Sequence, residues 1–300
     1  MTVDSPTESP PSSLPEEDSN GRPWRRMPPT VVWPLLFTLG NLVAGFAAIH
    51  YAVKDPAWQG PWGWSGLTMA GAMIFLGLIL DSVDGSIARL TRSVSEIGAS
   101  LDSLADLVTC GVAPAIMMLS LVRGYLGDDG QLTVLGPEAD LPWGKVVWGI
   151  AAVYVCCAAL RLARFNVEAQ PERGPNDRLS FHGMPSPGAA GTMAALIILH
   201  QHLLAVDSGG AWLGRAYAFG VPGVALLCAV AMVSTIPYDH FVNRYFGRPQ
   251  SFRFLAGTVI IVLLVIWWFQ ETVALGFAAY ALSGPVRLLA GRMGFPRSST

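Results

Sequence analysis

Apolar runs long enough to cross a lipid bilayer fill most of this sequence, and they restrict its fold more than any other feature. Only 13% of the residues are charged and 52% are hydrophobic, and the mean hydropathy is +0.45. A chain of this length with so few charges is too apolar for a soluble domain. We therefore predict an all-α fold, a polytopic bundle of transmembrane helices.

Runs of roughly 18 to 25 apolar residues mark the candidate transmembrane helices. There are about eight of them: residues 31–53, 62–82, 98–123, 142–164, 184–205, 217–237, 253–270 and 272–290. The last two are separated only around Glu271, so seven spans are an alternative.

The basic residues indicate how these spans are oriented. If the N-terminus lies inside, all but four of the 19 Lys and Arg residues fall on the inner side. The four exceptions are Lys54, Arg123, Lys145 and Arg215. Because cytoplasmic loops carry an excess of Lys and Arg, we expect eight spans with both termini in the cytoplasm.

The ends of the chain differ from the spans in composition. Residues 1–29 are rich in Pro, Ser and acidic residues, which is typical of a disordered segment. We therefore predict a disordered cytoplasmic tail over 1–29, a transmembrane domain over 30–291 and a short cytoplasmic tail over 292–300.

Four carboxylates interrupt the apolar sequence, and charge at membrane depth requires a functional reason. Asp81 and Asp84 are three positions apart, and Asp102 and Asp106 are four apart, so each pair shares one face of its helix. Two such faces in opposition form a cluster of four carboxylates.

Divalent cations would remove the repulsion between like charges placed this close. Oxygen ligands in this number suit Mg²⁺ or Mn²⁺, with Ca²⁺ as a competitor. Two such ions, roughly 3.5–4 Å apart, can clamp the attacked phosphate and the leaving oxygen of an in-line displacement. A remaining carboxylate can then orient or deprotonate an attacking hydroxyl.

Small residues and one arginine accompany the carboxylates at fixed spacing. Gly85 and Ala88 share the helical stripe of Asp81, and Gly98 begins the corresponding row on the next helix. Small side chains let helices approach closely or leave room for a bulky ligand. Arg89, one turn beyond Gly85, can reach a phosphate as a bidentate donor. Together these residues indicate a diphosphate site held by metal ions.

The complete spacing from Asp81 to Asp106 is D-x2-D-G-x2-A-R-x8-G-x3-D-x3-D. It resembles, without a gap, the signature of the CDP-alcohol phosphotransferases, membrane enzymes that make phospholipids from a cytidine-diphosphate donor. The resemblance implies that Asp81, Asp84 and Asp102 bind metal and that Asp106 is the catalytic base, which also approaches a metal. It further implies a homodimer and a CDP-diacylglycerol site lined by Asn41, Gly85, Ala88, Arg89, Ser95 and Gly98.

Other stretches resemble the bacterial branch of this family that uses serine as the acceptor. They begin at Asp102 (D-S-L-A-D-L-V-T-C-G-V-A-P, with Cys110 where Phe is expected), Arg161 (R-L-A-R-F-N), Phe181 (F-H-G-M-P-S-P-G-A-A-G), Met232 (M-V-S-T-I-P-Y) and Tyr280 (Y-A-L-S-G-P).

A serine acceptor makes chemical demands that one of these stretches can meet. The serine carboxylate needs a guanidinium and the serine ammonium needs oxygens. Arg161 and Arg164, three positions apart at a helix end, and Asn166 just beyond them form a candidate serine-binding pocket. Arginines in such places also serve as topology anchors or lipid headgroup contacts, and that alternative stays open.

The expected function is transfer of a phosphatidyl group from CDP-diacylglycerol to L-serine, at the cytoplasmic face of a bacterial plasma membrane. The expected partners are these substrates, membrane lipids and a second copy of the chain, with no nucleic acid. One alternative keeps the reaction but uses glycerol 3-phosphate, inositol phosphate or choline. Another is a cation transporter, which predicts carboxylates at mid-span and internal repeats, whereas Asp81 and Asp84 fall at a predicted span end and no repeat is visible.

Overall fold

The fold is a bundle of helices. A computed structural model describes residues 29–91, 96–126, 135–168, 183–205, 210–234, 257 and 267–292. None of these residues lies in a β-strand, and six helical segments among them are long and apolar enough to cross a membrane. The chain is therefore an integral membrane protein, as its composition predicts.

Eight α-helices have bounds within the described residues. They are α1 (Pro29–Ala52), α2 (Gly66–Thr91), α3 (Glu96–Asp106), α4 (Ala113–Leu126), α5 (Pro142–Glu168), α6 (Ser186–Ala205), α7 (Gly210–Val233) and α8 (Phe269–Arg292). A π-helical turn, Leu107–Val112, joins α3 and α4 into one membrane segment.

Six predicted spans correspond to the six apolar helical segments, although their ends differ. The second span was expected to end at residue 82, but α2 continues to Thr91, so Asp81 and Asp84 lie well inside the helix. Predicted span 253–270 falls largely outside the described residues. Predicted span 272–290 lies within α8, which is not among the six.

The total of eight spans and the placement of both termini therefore stay predictions. Helix α1 already includes Pro29, the last residue of the predicted N-terminal tail. Residues 1–28 and 293–300 lie outside the part of the chain that the structure describes.

Small residues allow the helices to pack closely. Gly71 of α2 faces Ile198 of α6, where an added Cβ would lie 2.6 Å from a side-chain carbon. Gly191 of α6 faces the ring of Phe277 of α8 in the same way. Most side chains of α6 are buried, so this helix lies at the centre of the described bundle.

The π-helical turn directly follows Asp106 and is bonded on two sides. Thr109 is fully buried, and its Oγ1 donates to the backbone oxygen of Asn41 in α1 at 3.1 Å. The backbone oxygen of Cys110 accepts a hydrogen bond from the Tyr154 hydroxyl of α5, also at 3.1 Å. The end of α3 that carries Asp106 is thus anchored to both α1 and α5.

Gly45 of α1 should tolerate no side chain, because it packs on this turn. An added Cβ would lie 3.0 Å from Thr109 Cα and 3.1 Å from its backbone nitrogen. We expect Gly45→Ala to lower the free energy of unfolding by about 1–3 kcal/mol, the usual cost of overpacking. Thermal unfolding in detergent would measure the loss.

Gly149→Ala in α5 is the matched control, because no atom lies within 4 Å of an added Cβ there. It should be neutral or slightly stabilising, since alanine favours a helix over glycine. Equal melting temperatures for the two variants would contradict the close packing of α1 on the turn.

Candidate active site

Carboxylates from the C-terminal half of α2 meet carboxylates from α3. Asp81, Asp102 and Asp106 each place one ligand oxygen within 4.8 Å of the other two. Asp106 is buried, whereas Asp81 and Asp102 are half-buried. The helical spacing predicted two opposing carboxylate faces, and the structure brings these three side chains together.

Asp84 is not part of this group of three, although it is 5% exposed and lies one turn along α2. Its Oδ2 accepts a hydrogen bond from Thr38 Oγ1 of α1 at 2.8 Å. The same hydroxyl lies 3.1 Å from the backbone oxygen of Pro34. The shorter distance favours donation to Asp84, because a hydroxyl has a single proton. The metal-ligand role of Asp84 stays a prediction.

Asn41 of α1 is fully buried beside the same group. Its Nδ2 donates to Oδ1 of Asp106 at 3.0 Å. Gly77 of α2 faces it closely, since a Cβ there would lie 2.8 Å from Asn41 Oδ1. Asn41 was expected to line the CDP-diacylglycerol site, and that contact stays a prediction. The contact that the structure describes is with Asp106.

Sequence reasoning overlooked Thr38 as a functional residue. The available signal was its spacing: Thr38 and Asn41 are three positions apart in a helix that is otherwise mostly apolar. Polar residues at this spacing lie on the same helical face.

The group of three fits a hard divalent cation. Its donors are all carboxylate oxygens, which Mg²⁺, Mn²⁺ and Ca²⁺ prefer. Asp102 Oδ1 is buried and has no hydrogen-bond partner among the described residues. A buried polar atom without a partner is costly, and a cation bound by the three carboxylates would provide one.

The structure describes only some of the other residues that were predicted to bind CDP-diacylglycerol. Gly85 and Gly98 are half-buried on α2 and α3, close in sequence to the aspartates. Ala88 and Arg89 belong to the last turns of α2, but the structure does not describe their side chains. Ser95 lies outside the described residues. All five assignments stay predictions.

Arg161, predicted to bind serine, contacts the end of another helix. Its Nη1 donates to the backbone oxygen of Met232 in the last turn of α7 at 3.4 Å. Gly183 has φ +123 and lies against the same place, where an added Cβ would be 2.8 Å from the backbone oxygen of Ser234. A cation interacts favourably with the carbonyl groups at a helix C-terminus. Arg161 therefore links α5 to α7.

Asn166 connects the predicted serine pocket to the aspartate-bearing helix. Its Nδ2 donates to Oγ of Ser103 at 2.8 Å, and Ser103 directly follows Asp102. Arg164 is half-buried two positions earlier on α5. The end of α5 thus lies beside α3, and Ser103 is a second residue that the sequence did not identify.

The sequence model of the CDP-alcohol phosphatidyltransferase family matches residues 31–235, a range that contains all four aspartates. The chain belongs to this family. It is therefore a membrane-embedded transferase of phospholipid biosynthesis, and the prediction of an enzyme is confirmed over the cation transporter.

Several relatives are similar to this chain over most of its length. A CDP-diacylglycerol–serine O-phosphatidyltransferase of Helicobacter pylori (strain J99) is 32% identical over 260 residues, which cover 80% of this chain and 93% of the relative. A protein of the same name from Bacillus subtilis is 31% identical over 220 residues, 73% of this chain and 97% of the relative. Another, from Methanocaldococcus jannaschii, is 28% identical over 216 residues, 72% and 84% of the two chains.

Proposed function

We propose that this CDP-alcohol phosphatidyltransferase transfers the phosphatidyl group of CDP-diacylglycerol to the hydroxyl of L-serine and releases CMP. The observation that carries the proposal is the group of Asp81, Asp102 and Asp106, in a chain that belongs to this family. The choice of serine is supported by the names of the relatives from several organisms.

The donor diphosphate lies against the aspartates in this proposal. Asp81, Asp84, Asp102 and Asp106 hold two divalent cations, Mg²⁺ or Mn²⁺. When bound, these ions neutralise the diphosphate and the charge that develops on the leaving CMP. Arg89 donates to a phosphate, and the small residues leave room for the donor. The other donor-site residues are Asn41, Gly85, Ala88, Ser95 and Gly98.

Asp106 is the proposed base. Its carboxylate accepts the proton of the serine hydroxyl while the hydroxyl oxygen forms a bond to the lipid-linked phosphorus. The bond from that phosphorus to the bridging oxygen of the diphosphate breaks, and CMP leaves with the electron pair. Burial of Asp106 limits the access of competing water to this carboxylate.

The proposed serine pocket lies at the C-terminal end of α5. Arg161 or Arg164 pairs with the serine carboxylate, and Asn166 supplies an oxygen for its ammonium group. The bond between Asn166 and Ser103 supports this placement, because it brings α5 next to the residue that follows Asp102.

The proposed location is a bacterial plasma membrane, with the active site facing the cytoplasm and the chain assembled as a homodimer. The uneven distribution of Lys and Arg supports this orientation. Asp81 and Asp84 lie in the C-terminal half of α2, the half that faces the cytoplasm in this orientation, where a water-soluble serine and a lipid-embedded donor can meet.

A panel of acceptors tests the proposal. The purified protein, supplied with CDP-diacylglycerol and Mn²⁺, should release CMP with L-serine well above the rate without acceptor. Glycerol 3-phosphate and inositol phosphate should stay at that background, because a phosphorylated acceptor needs an additional anion site. Choline should stay there too, because it lacks the carboxylate that Arg161 or Arg164 would bind. CMP release with one of these alcohols and none with serine would overturn the choice of serine.

A further inference from the structure

We propose that α1 is a positioning helix for the aspartates: Thr38 holds Asp84, and Asn41 holds Asp106, each through one side-chain hydrogen bond. The inference rests on the proposed function, because it concerns the same carboxylates. It assigns to Thr38 and Asn41 a role in orienting the reactive groups.

The two bonds come from one face of α1 and reach two different helices. Thr38 Oγ1 lies 2.8 Å from Asp84 Oδ2 on α2, and Asn41 Nδ2 lies 3.0 Å from Asp106 Oδ1 on α3. All four side chains are buried. Hydrogen bonds to a charged group are stronger than those between neutral groups, and burial protects them from exchange with water.

The orientation of the Asn41 amide is determined by charge. Its NH₂ group faces the Asp106 carboxylate, and its buried Oδ1 has no hydrogen-bond partner in the part of the chain that the structure describes. Turning the amide around would place Oδ1 against a carboxylate oxygen, and neither atom has a proton to donate. Only the NH₂ end can face Asp106 when the carboxylate is ionised.

The backbone of α1 is also fixed at this position. Thr109 Oγ1 donates to the backbone oxygen of Asn41, and Gly45, one turn further along, leaves room for Thr109 to approach. Gly77 of α2 closes the other side of Asn41. The asparagine is thus held by three neighbouring segments and cannot rotate freely.

The bonds distinguish Asp84 and Asp106 from Asp102. One carboxylate on α2 and one on α3 are held by α1, whereas Asp102 Oδ1 has no hydrogen-bond partner among the described residues. Hydrogen-bond partners of metal ligands typically contribute 10–100-fold, in order of magnitude, to metal affinity or activity. We infer that α1 fixes the frame of the site while Asp102 adapts to the cation.

The test removes each hydrogen-bond donor and keeps the approximate shape of its side chain. Thr38→Val and Asn41→Leu are compared with the wild type by Mn²⁺ titration of the purified protein, followed by electron paramagnetic resonance of free Mn²⁺. The Kd for Mn²⁺ should rise about 10–100-fold, and kcat should fall more than the KM for CDP-diacylglycerol rises. Thr38→Ser retains the hydroxyl and should restore Mn²⁺ binding.

Thr192→Val is the matched control. Thr192 is also a buried threonine, and its Oγ1 donates to the backbone oxygen of Gly188 at 2.7 Å, within α6. Losing this hydroxyl can affect stability but should leave the Mn²⁺ affinity of the folded protein unchanged. Equal effects of Thr38→Val and Thr192→Val on Mn²⁺ affinity would overturn the proposal.

A double-mutant cycle tests whether Asn41 acts through Asp106. Asn41→Leu should weaken Mn²⁺ binding less in an Asp106→Asn background than in the wild type, and full additivity would overturn this link. Should Asn41→Leu fail to fold, the Thr38 variants decide the proposal. The titration needs no substrate, so it tests the positioning role separately from the proposed function. Unchanged Mn²⁺ affinity in the Thr38→Val and Asn41→Leu variants would overturn the positioning role. Failure of the wild type to release CMP with serine would instead overturn the proposed function.

Discussion

Asp106→Asn should reduce CMP release by about 10²–10⁴-fold, the usual contribution of a general base. The amide cannot accept the proton of the serine hydroxyl, so the step in which that oxygen bonds to phosphorus loses its proton acceptor. The rate of CMP release at saturating serine and CDP-diacylglycerol measures this effect.

The surroundings of Asp106 make this substitution informative. An asparagine at position 106 keeps an oxygen that can accept the hydrogen bond from Asn41, the contact that now joins the two side chains at 3.0 Å. The fold should therefore persist, and metal-dependent binding of CDP-diacylglycerol should remain measurable, because Asp81, Asp84 and Asp102 still supply the proposed metal ligands. Asp140→Asn, the same change at an exposed residue before α5, should behave as the wild type. A turnover within about tenfold of the wild type would eliminate Asp106 as the base.

Asp81→Asn and Asp102→Asn should each abolish measurable Mn²⁺ binding and, with it, CMP release. Both residues contribute an oxygen to the group in which the ligand atoms lie within 4.8 Å of one another. Asp81 and Asp102 are proposed as metal ligands alone, whereas Asp106 is the proposed base and is also held by Asn41. Either substitution should therefore cost more Mn²⁺ affinity than Asp106→Asn, and more than the roughly 10–100-fold that the loss of an outer hydrogen-bond partner costs. Mn²⁺ titration of the purified variants measures the loss.

Thermal unfolding with and without Mn²⁺ gives an independent readout of the same change. Mn²⁺ should raise the melting temperature of the wild type, because a ligand that binds only the folded state stabilises it. Mn²⁺ should not raise the melting temperature of either variant. In chelator, both variants should unfold at or above the wild-type temperature, since one of several neighbouring like charges has been removed. A full Mn²⁺ shift in both variants would contradict the metal site.

The aspartate group was predictable because its signal is local. Residues three or four positions apart share a helical face whatever surrounds the helix, so the pairs containing Asp81 and Asp102 could be assigned from spacing alone. The positions of the apolar spans could also be predicted, because the length of an apolar run is likewise a local feature of the sequence. The C-terminal end of α2 could not be predicted in this way, because polar residues follow residue 82 and the helix nevertheless continues to Thr91.

Contacts between segments that are distant in the sequence could not be predicted from local spacing. Nothing near Thr38 shows that α1 lies against Asp84, a residue 46 positions away. Likewise, the bond from Arg161 to the end of α7 spans 71 positions, and a helix-end arginine can equally face a substrate or a headgroup. Leu107–Val112 reads as an ordinary apolar run, so its π-helical form had no distinguishing signal.

The π-helical turn also separates two requirements that a single membrane helix must meet. Each residue advances an α-helix by about 100°, and a π-helical turn holds additional chain within one turn. The register of α4, whose Met117 and Met118 are fully buried, is therefore shifted from the one that α3 would give it if the segment continued as a regular α-helix. In a regular α-helix, either the aspartates of α3 or the buried side chains of α4 would be rotated away from their present positions, so the turn lets one membrane segment supply both.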